Sequence, residues 1–408
     1  MRRVEARVQA IAQRKANEME RVAYAKYRHL FDEATAFLRP RRVLLYGGTA
    51  LNYLLPEEAR FYEAESLPDV DVMCLDGKRL ASEVVQHFEA RGHAHAGLSE
   101  ALHPGTYKVY VDGLQLLDIT TVSRRTYAKL AKGAVRTQLG LLAANPEYLR
   151  ATMHNMLAQP QDSGRWAKMV RRVAAFYARF PVATAPCMAA LRAAALEVRL
   201  PAAVLQQARR ELQRRGCVWT GAAAFERIAR QAGLEAVREG PWRLPGAPAL
   251  ECLSEEAPAV VARELVASLA AVDAGAVYAV GELLFDEFAP PHVLVARNGV
   301  PFAAVFQPDA CLSVVKVGDA RVSSLQTTIR LAMALQFSSL RWAARAAGAY
   351  GCMADLLVNV MLQQLTRPPG GPKPRALLNS FVTACYGRQP GLVTLRRERR
   401  ARIAMKEK

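Results

Sequence analysis

No window of about eighteen apolar residues runs free of charge anywhere in the chain, so no membrane span is expected. The basic N-terminus is broken by Glu5, Glu18 and Glu20 and leads into no apolar core, so no secretory leader is expected either. Cysteine is scarce. The seven, at positions 74, 187, 217, 252, 311, 352 and 385, include no C-x-x-C pair, and such an odd, unpatterned set fits a reduced compartment rather than a disulfide scaffold or a zinc site. Histidine supplies no metal site: His93 and His95 flank an alanine beside Gly92 and Gly97, with His87 and His103 near, and the spacing reads as a solvated loop. Acidic residues are outnumbered. Asp+Glu 37 against Lys+Arg 55 leaves a net charge of +18, which points to a polyanionic partner such as RNA or else to a merely basic, solvated surface.

What is present is enough apolar material for a large core: 408 residues at 51% hydrophobic support two or three domains. The organising stretch runs from Arg42 to Val72. V-L-L-Y reads as a buried strand (Val43 to Tyr46), Gly47-Gly48 as a tight turn, the segment from Thr49 as an amphipathic helix, and P-D-V-D-V-M as a second strand carrying Asp69 and Asp71. Strand side chains alternate, so carboxylates at i and i+2 share a face and can share a metal ion. The glycine turn leaves N–H groups at a helix start open to a phosphate, and Thr49 adds a hydroxyl. A third carboxylate follows. Y-K-V-Y-V, Asp112-Gly113 and L-Q-L-L-D-I-T-T read as a hairpin with Asp118 among apolar neighbours, while Asp112 is explained as a turn residue.

These residue types in this order suggest metal-dependent nucleotidyl transfer of the polymerase β type. G-G-T-A-L-N, P-D-V-D-V and L-L-D-I-T resemble the catalytic subunits of viral poly(A) polymerases, of poxviruses and other large DNA viruses. The resemblance extends through Tyr148 to Val173, covers the first 180 residues or so, and thins afterwards. It implies an α+β fold: a polymerase β-type nucleotidyltransferase domain followed by helices and a second, degenerate nucleotidyltransferase-like domain. It also implies template-independent addition of AMP from ATP to RNA 3′ ends, with Asp69, Asp71 and Asp118 holding two Mg²⁺ or Mn²⁺ ions. Gly47, Gly48 and Thr49 would seat phosphates, and Lys108, Lys129 and Lys132 are candidate phosphate contacts. The viral relatives suggest a homodimer or a cap-methyltransferase partner, and a location in host cytoplasm or virion. A nucleotidyltransferase acting on tRNA, a protein or a small molecule stays open, as does a non-catalytic RNA-binding subunit.

The rest of the chain is organised around a second, worn copy. C-V-W-T-G-A-A-A-F lies over V-L-L-Y-G-G-T-A-L, placing Gly221 on Gly47 and Ala222 on Gly48. P-A-L-E-C-L lies over P-D-V-D-V-M, with Ala249 on Asp69 and Glu251 on Asp71; the segment His292 to Phe306 lies over the hairpin, with its turn at Asn298-Gly299 and Ala304 on Asp118. A copy with one carboxylate left cannot build the same metal site. The expected domains are residues 1–40, a helical region with a basic side at Arg14, Lys15, Arg21, Lys26 and Arg28; 41–184, catalytic; 185–366, degenerate; and 367–408, a Pro-Gly loop and basic tail. Helix is expected from Arg79 to Arg91, throughout Arg124 to Phe180, where Arg165, Trp166, Lys168, Arg171 and Arg172 concentrate charge around one aromatic, and from Val322 to Leu365.

Overall fold

The computed structural model describes residues 2–62, 65–103, 105–183, 187, 200–234, 244, 246–366 and 375–388. The expected loop after Thr366, the basic tail and Glu63 lie outside the described residues, apart from 375–388. The chain divides into two compact units between Leu149 and Arg150.

The first unit opens with one helix, α1 (Arg2–Leu38). Among its described side chains, Leu30, Phe31, Ala34 and Leu38 in the C-terminal turns are buried, whereas Val8, Ile11, Met19 and Val22 are exposed, against the packing expected for them. The sheet is built from β1 (Leu44–Tyr46), β2 (Val70–Cys74), β3 (Ala96–Glu100), β4 (Thr106–Val111), β5 (Leu114–Thr121), β6 (Val135–Arg136) and β7 (Leu142–Ala143), in the order β3-β4-β5-β2-β1-β7-β6. β1 and β2 are antiparallel while β2 and β5 are parallel. Between them run α2 (Gly47–Leu54) and α3 (Gly77–Glu89), the latter capped by Asp76, whose carboxylate accepts from the Arg79 N–H at 3.1 Å. Leu80, Ala81, Val84 and Phe88 bury one stripe of α3 at helical spacing. The Asp112-Gly113 turn has positive φ at both residues, 49° and 83°, the twist a two-residue hairpin needs.

The segment around His93 and His95 is the exposed turn expected of it, leading into β3 at the sheet edge, and His93 Nδ1 lies 2.8 Å from the Asp112 carboxylate. One expectation fails here. The helical run expected from Arg124 is broken after α4 (Arg124–Ala131) by β6 and β7, strands too short to show an alternation. α5 (Pro146–Leu157) does start with proline in its first turn, as its fixed φ favours.

The second unit repeats the plan. Its strands are β8 (Val218–Trp219), β9 (Leu250–Leu253), β10 (Tyr278–Val280), β11 (His292–Arg297), β12 (Val300–Phe306), β13 (Leu312–Val317), β14 (Ala320–Ser323) and β15 (Cys385–Tyr386), in the order β10-β11-β12-β9-β8-β14-β13-β15. Apart from β15, this is the first order again with each strand replaced by its counterpart, and the parallel and antiparallel pairings also repeat. Both hairpin tips match as well, with Asn298 at φ 50° where Asp112 has 49°. The helices are α6 (Ser163–Arg179), α7 (Ala202–Arg214), α8 (Gly221–Ala232), α9 (Pro258–Ala270), α10 (Leu325–Phe337) and α11 (Arg341–Leu365).

Helix begins at Leu325 rather than Val322, which belongs to β14. α10 is buried on nearly every side, and two of its polar side chains find partners on neighbouring segments: Gln326 meets His154 Nδ1 at 2.9 Å and Arg330 meets the Asp309 carboxylate at 2.6 Å. In α6 the charged-looking segment is partly core. Trp166 and Arg172 are buried with Met169, Val173 and Phe176, and the Trp166 indole N–H donates to the Met156 carbonyl at 3.3 Å, so the aromatic serves helix packing. Cysteine also departs from expectation: disulfides join Cys187 to Cys352 and Cys311 to Cys385. Partners 165 and 74 residues apart leave no local spacing to read, which is why the sequence did not suggest them.

Candidate active site

The site begins at a corner. Tyr46 ends β1 in extended conformation, and Gly47 turns the chain into α2 at φ +68°, a left-handed conformation that side chains disfavour. A methyl group placed on Gly47 would collide with the Asp71 carboxylate. Glycine is therefore required twice here, for its backbone conformation and for room. Asp71 is thereby held against the N-terminal turn of α2, where the helix dipole favours negative charge.

From that corner a row of side chains crosses four strands. Tyr46 is the register partner of Asp71, Asp71 of Asp118, and Asp118 of Lys108. Register partners project from the same face, with neighbouring strands about 4.8 Å apart, so the row is contiguous. Lys108 Nζ lies 3.1 Å from Asp118 Oδ2, and Gln115 donates to Asp118 Oδ1 at 2.9 Å. Gln115 reaches that face because the β4–β5 register shifts there: Val109 pairs with Leu117 but Tyr110 with Gln115. The Tyr46 hydroxyl is 3.0 Å from that of Thr120, which is 3.0 Å from that of Thr106. Burial and then the negative field of Asp71 push the Tyr46 phenol up to about 12, with a smaller push from Asp118. It therefore stays a neutral hydroxyl beside the carboxylates.

The remaining candidates are placed differently. Thr49 is fully buried and its hydroxyl donates to the Asp69 backbone carbonyl, so it fixes the entry into β2 and does not face a phosphate. Asp69 lies one residue before β2. Among the described residues no three His, Cys, Asp or Glu side chains are grouped to hold a metal ion. The chemistry of the donors nevertheless fits a hard divalent cation, since Asp71 and Asp118 supply carboxylate oxygens from adjacent in-register positions. Gly48 opens α2 beside Gly47. Lys129 sits in the last turn of α4 and Lys132 is its exposed C-cap, so neither belongs to the strand row. Tyr46, Gln115 and Thr120 were not anticipated. Tyr46 and Thr120 were legible from alternation, two residues from a named position or at a strand end, but Gln115 was not, because the shifted register inverts its face.

The second unit shows what the same frame looks like without the chemistry. Thr220 has φ −137° and ψ −167°, against −139° and −170° at Tyr46, and Gly221 again takes a positive φ of +56°. A methyl group on Gly221 would collide with the Glu251 carboxyl group, as one on Gly47 would with Asp71. Glu251 pairs with Ala304 where Asp71 pairs with Asp118. Glu251 is fully buried beneath Tyr350 of α11, and burial pushes its carboxyl up to about 8. An uncharged acid with an alanine neighbour holds no cation.

Comparison with known proteins agrees with this geometry. Residues 32–163 match the family model described as poly(A) polymerase catalytic subunit. No curated protein sequence matches the chain. The fold is similar to the crystal structure of the Megavirus polyadenylate synthase, with a TM-score of 0.75 at 17% identity over 99% of this chain and 83% of that one. The matched segment holds the glycine corner, both register-paired aspartates and Lys108. The chain is accordingly a nucleotidyltransferase, whose residues 32–163 are similar to the poly(A) polymerase catalytic subunit family.

Proposed function

We propose that the protein is a template-independent poly(A) polymerase that adds AMP from ATP to RNA 3′ ends. The single observation that supports this most is the row Tyr46–Asp71–Asp118–Lys108 beside the Gly47 corner, inside the segment that matches the family. Asp71 and Asp118, with Asp69, would hold Mg²⁺ or Mn²⁺. When bound, two such ions would supply Lewis-acid stabilisation of the charge that develops on the attacking 3′ oxygen and the departing pyrophosphate.

The chain's own groups do the rest. The N–H groups of Gly47 and Gly48 offer the β and γ phosphates a helix N-terminus. Lys108 balances the Asp118 charge and orients its carboxylate together with Gln115. The neutral Tyr46 hydroxyl, tied to Thr120, keeps the floor of the row rigid. Lys129 and Lys132 add positive charge on the helix that follows β5, for phosphates that approach from there. RNA held through its backbone needs little sequence recognition, which suits repeated addition to one growing end. Residues 1–40 would be a helical region, 41–184 the catalytic domain, 185–366 a scaffold and 367–408 a basic tail. Processivity would come from a second copy of the chain or a cap-methyltransferase partner, in the host cytoplasm or virion.

The test is an extension assay with a short RNA and each of the four labelled NTPs, with and without a chelator. A ladder formed with ATP alone, lost on chelation and restored by Mg²⁺ or Mn²⁺, is expected. A single added nucleotide, or label transferred to a protein or small molecule, would replace this proposal with a nucleotidyltransferase of another acceptor.

A further inference from the structure

The second unit contains a cavity that its lost chemistry does not explain. It is a solvent-open cleft of about 310 Å³ between α7 and α8, over the end of β8. Arg209 and Gln213, one turn apart on α7, line one wall; Glu226, Arg227 and Arg230 on α8 line the other; Trp219 closes the floor. Three guanidinium groups thus face one carboxylate. That carboxylate is committed, since Glu226 pairs with Arg230 at 2.6 Å. Arg209 and Arg227 have no ion-pair or hydrogen-bond partner among the described residues. Arg227 is half-buried, and its guanidinium is held below its ordinary pKa by burial and by the like charge of Arg209. The exposed Arg209 and the half-buried Arg227 line one cleft and repel one another, and an anion between them removes the repulsion.

The duplication gives an independent indication. Gly221 lies on Gly47, so Glu226 and Arg227 lie on Asn52 and Tyr53 of α2. The first unit has its own cavity there, against α1, lined by Arg28, Asp32, Tyr53 and Arg60. In it Arg28 pairs with Asp32 at 3.2 Å and Arg60 stacks over Tyr53, so its charge is balanced or shielded. The second copy keeps the cleft but puts arginine where the first has tyrosine. Its charge is unbalanced.

We propose that the α7–α8 cavity is a phosphate-binding subsite and that the group it takes is a backbone phosphodiester of RNA. Arginine suits the role because its planar fork matches phosphate oxygens. The cavity admits one phosphate with part of its sugar, and no base-reading group lines it other than Gln213. The proposal rests on RNA being the acceptor, and it assigns the second unit a share in holding it.

The test is direct binding of a labelled oligonucleotide RNA to the full chain, without ATP, across a salt series. The double variant Arg209→Ala/Arg227→Ala is expected to weaken binding about tenfold and to lower the slope of log Kd against log salt by between about 1 and 2, one step per lost phosphate contact. Glu226→Gln releases Arg230 and is expected to tighten binding several-fold, a gain that a damaged fold would not give. Wild-type affinity and salt slope in both variants would overturn the proposal. So would a double variant that binds RNA normally but has lost competition by inorganic phosphate or pyrophosphate, since the ligand would then be the free anion. If RNA binds as expected while no NTP extends it, the proposed polymerase activity falls and this subsite stands.

Discussion

Glu251→Gln separates the two copies of the fold by their response to pH. Glu251 is fully buried, sits where the first copy has Asp71, and titrates at about 8 against an ordinary 4.5 because burial disfavours its charge. The folded chain therefore holds this proton more tightly than the unfolded chain. The stabilisation is complete below the ordinary glutamate pKa and is lost as pH rises through about 8. Every pH unit climbed between those two values removes about 1.4 kcal/mol, so by pH 7 roughly 3 kcal/mol should be gone. Glutamine fills the same space with a neutral amide and removes the slope. His154 has the opposite sign: burial lowers it to about 4, so its contribution is lost as pH falls from about 6.5 toward 4. It is present in both proteins and cancels in the difference. Urea unfolding of both, followed at several pH values from about 4.5 to 8, should show the variant gaining on the wild type by about 3 kcal/mol between about pH 4.5 and 7. Parallel curves would mean that Glu251 carries its charge in the fold, and the second copy would not be silenced by neutralisation.

Other perturbations address the first copy and the helices. Asp71→Asn or Asp118→Asn should lower AMP incorporation by about two to three orders of magnitude, measured as kcat in primer extension, with RNA affinity retained. Gly47→Ala forces a side chain into a left-handed conformation, at about 1–2 kcal/mol, and displaces Asp71. It should reduce kcat by more than about tenfold, while circular dichroism remains that of the wild type. Trp166→Ala should lower stability by about 3–5 kcal/mol, since the ring is buried and lies 5.7 Å from that of Phe381. RNA affinity at a temperature where the variant stays folded should not change; a selective loss would show that the ring acts in RNA binding and not in packing alone.

The parts of this molecule that could be read in the sequence are those where local chemistry leaves a short-range mark. Gly47-Gly48, the Asp112-Gly113 turn and the aspartates at 71 and 118 each depend on residues within one strand or turn, and each sits as its spacing implied. The second copy was legible for the same reason, because Gly221, Glu251 and Asn298-Gly299 retain the backbone demands after the carboxylate row is gone. What escaped depends on distant partners. β6 and β7 are two residues each and exist only by pairing with β1 and one another. The disulfides span long separations, Thr49 is spent on the Asp69 carbonyl through the fold, and Gln115 changes face through a register shift.

The duplication explains which features of the site belong to the frame and which to the reaction. Both units keep a left-handed glycine after the first strand, an acidic side chain packed against it, and a parallel strand in register beyond. Those features cannot be catalytic in themselves, because the second unit has them with a neutral Glu251 and Ala304. The first unit alone adds a second carboxylate in the row, a lysine opposite it and half-exposed side chains in place of buried ones. Losing Asp118's counterpart to alanine removes the partner charge, and closing Tyr350 over the remaining acid removes the water that would keep it ionised. The corner is common to both because a side chain at either glycine would strike the acid packed against it, so Gly47 leaves room for Asp71 in one unit as Gly221 leaves room for a buried, neutral Glu251 in the other.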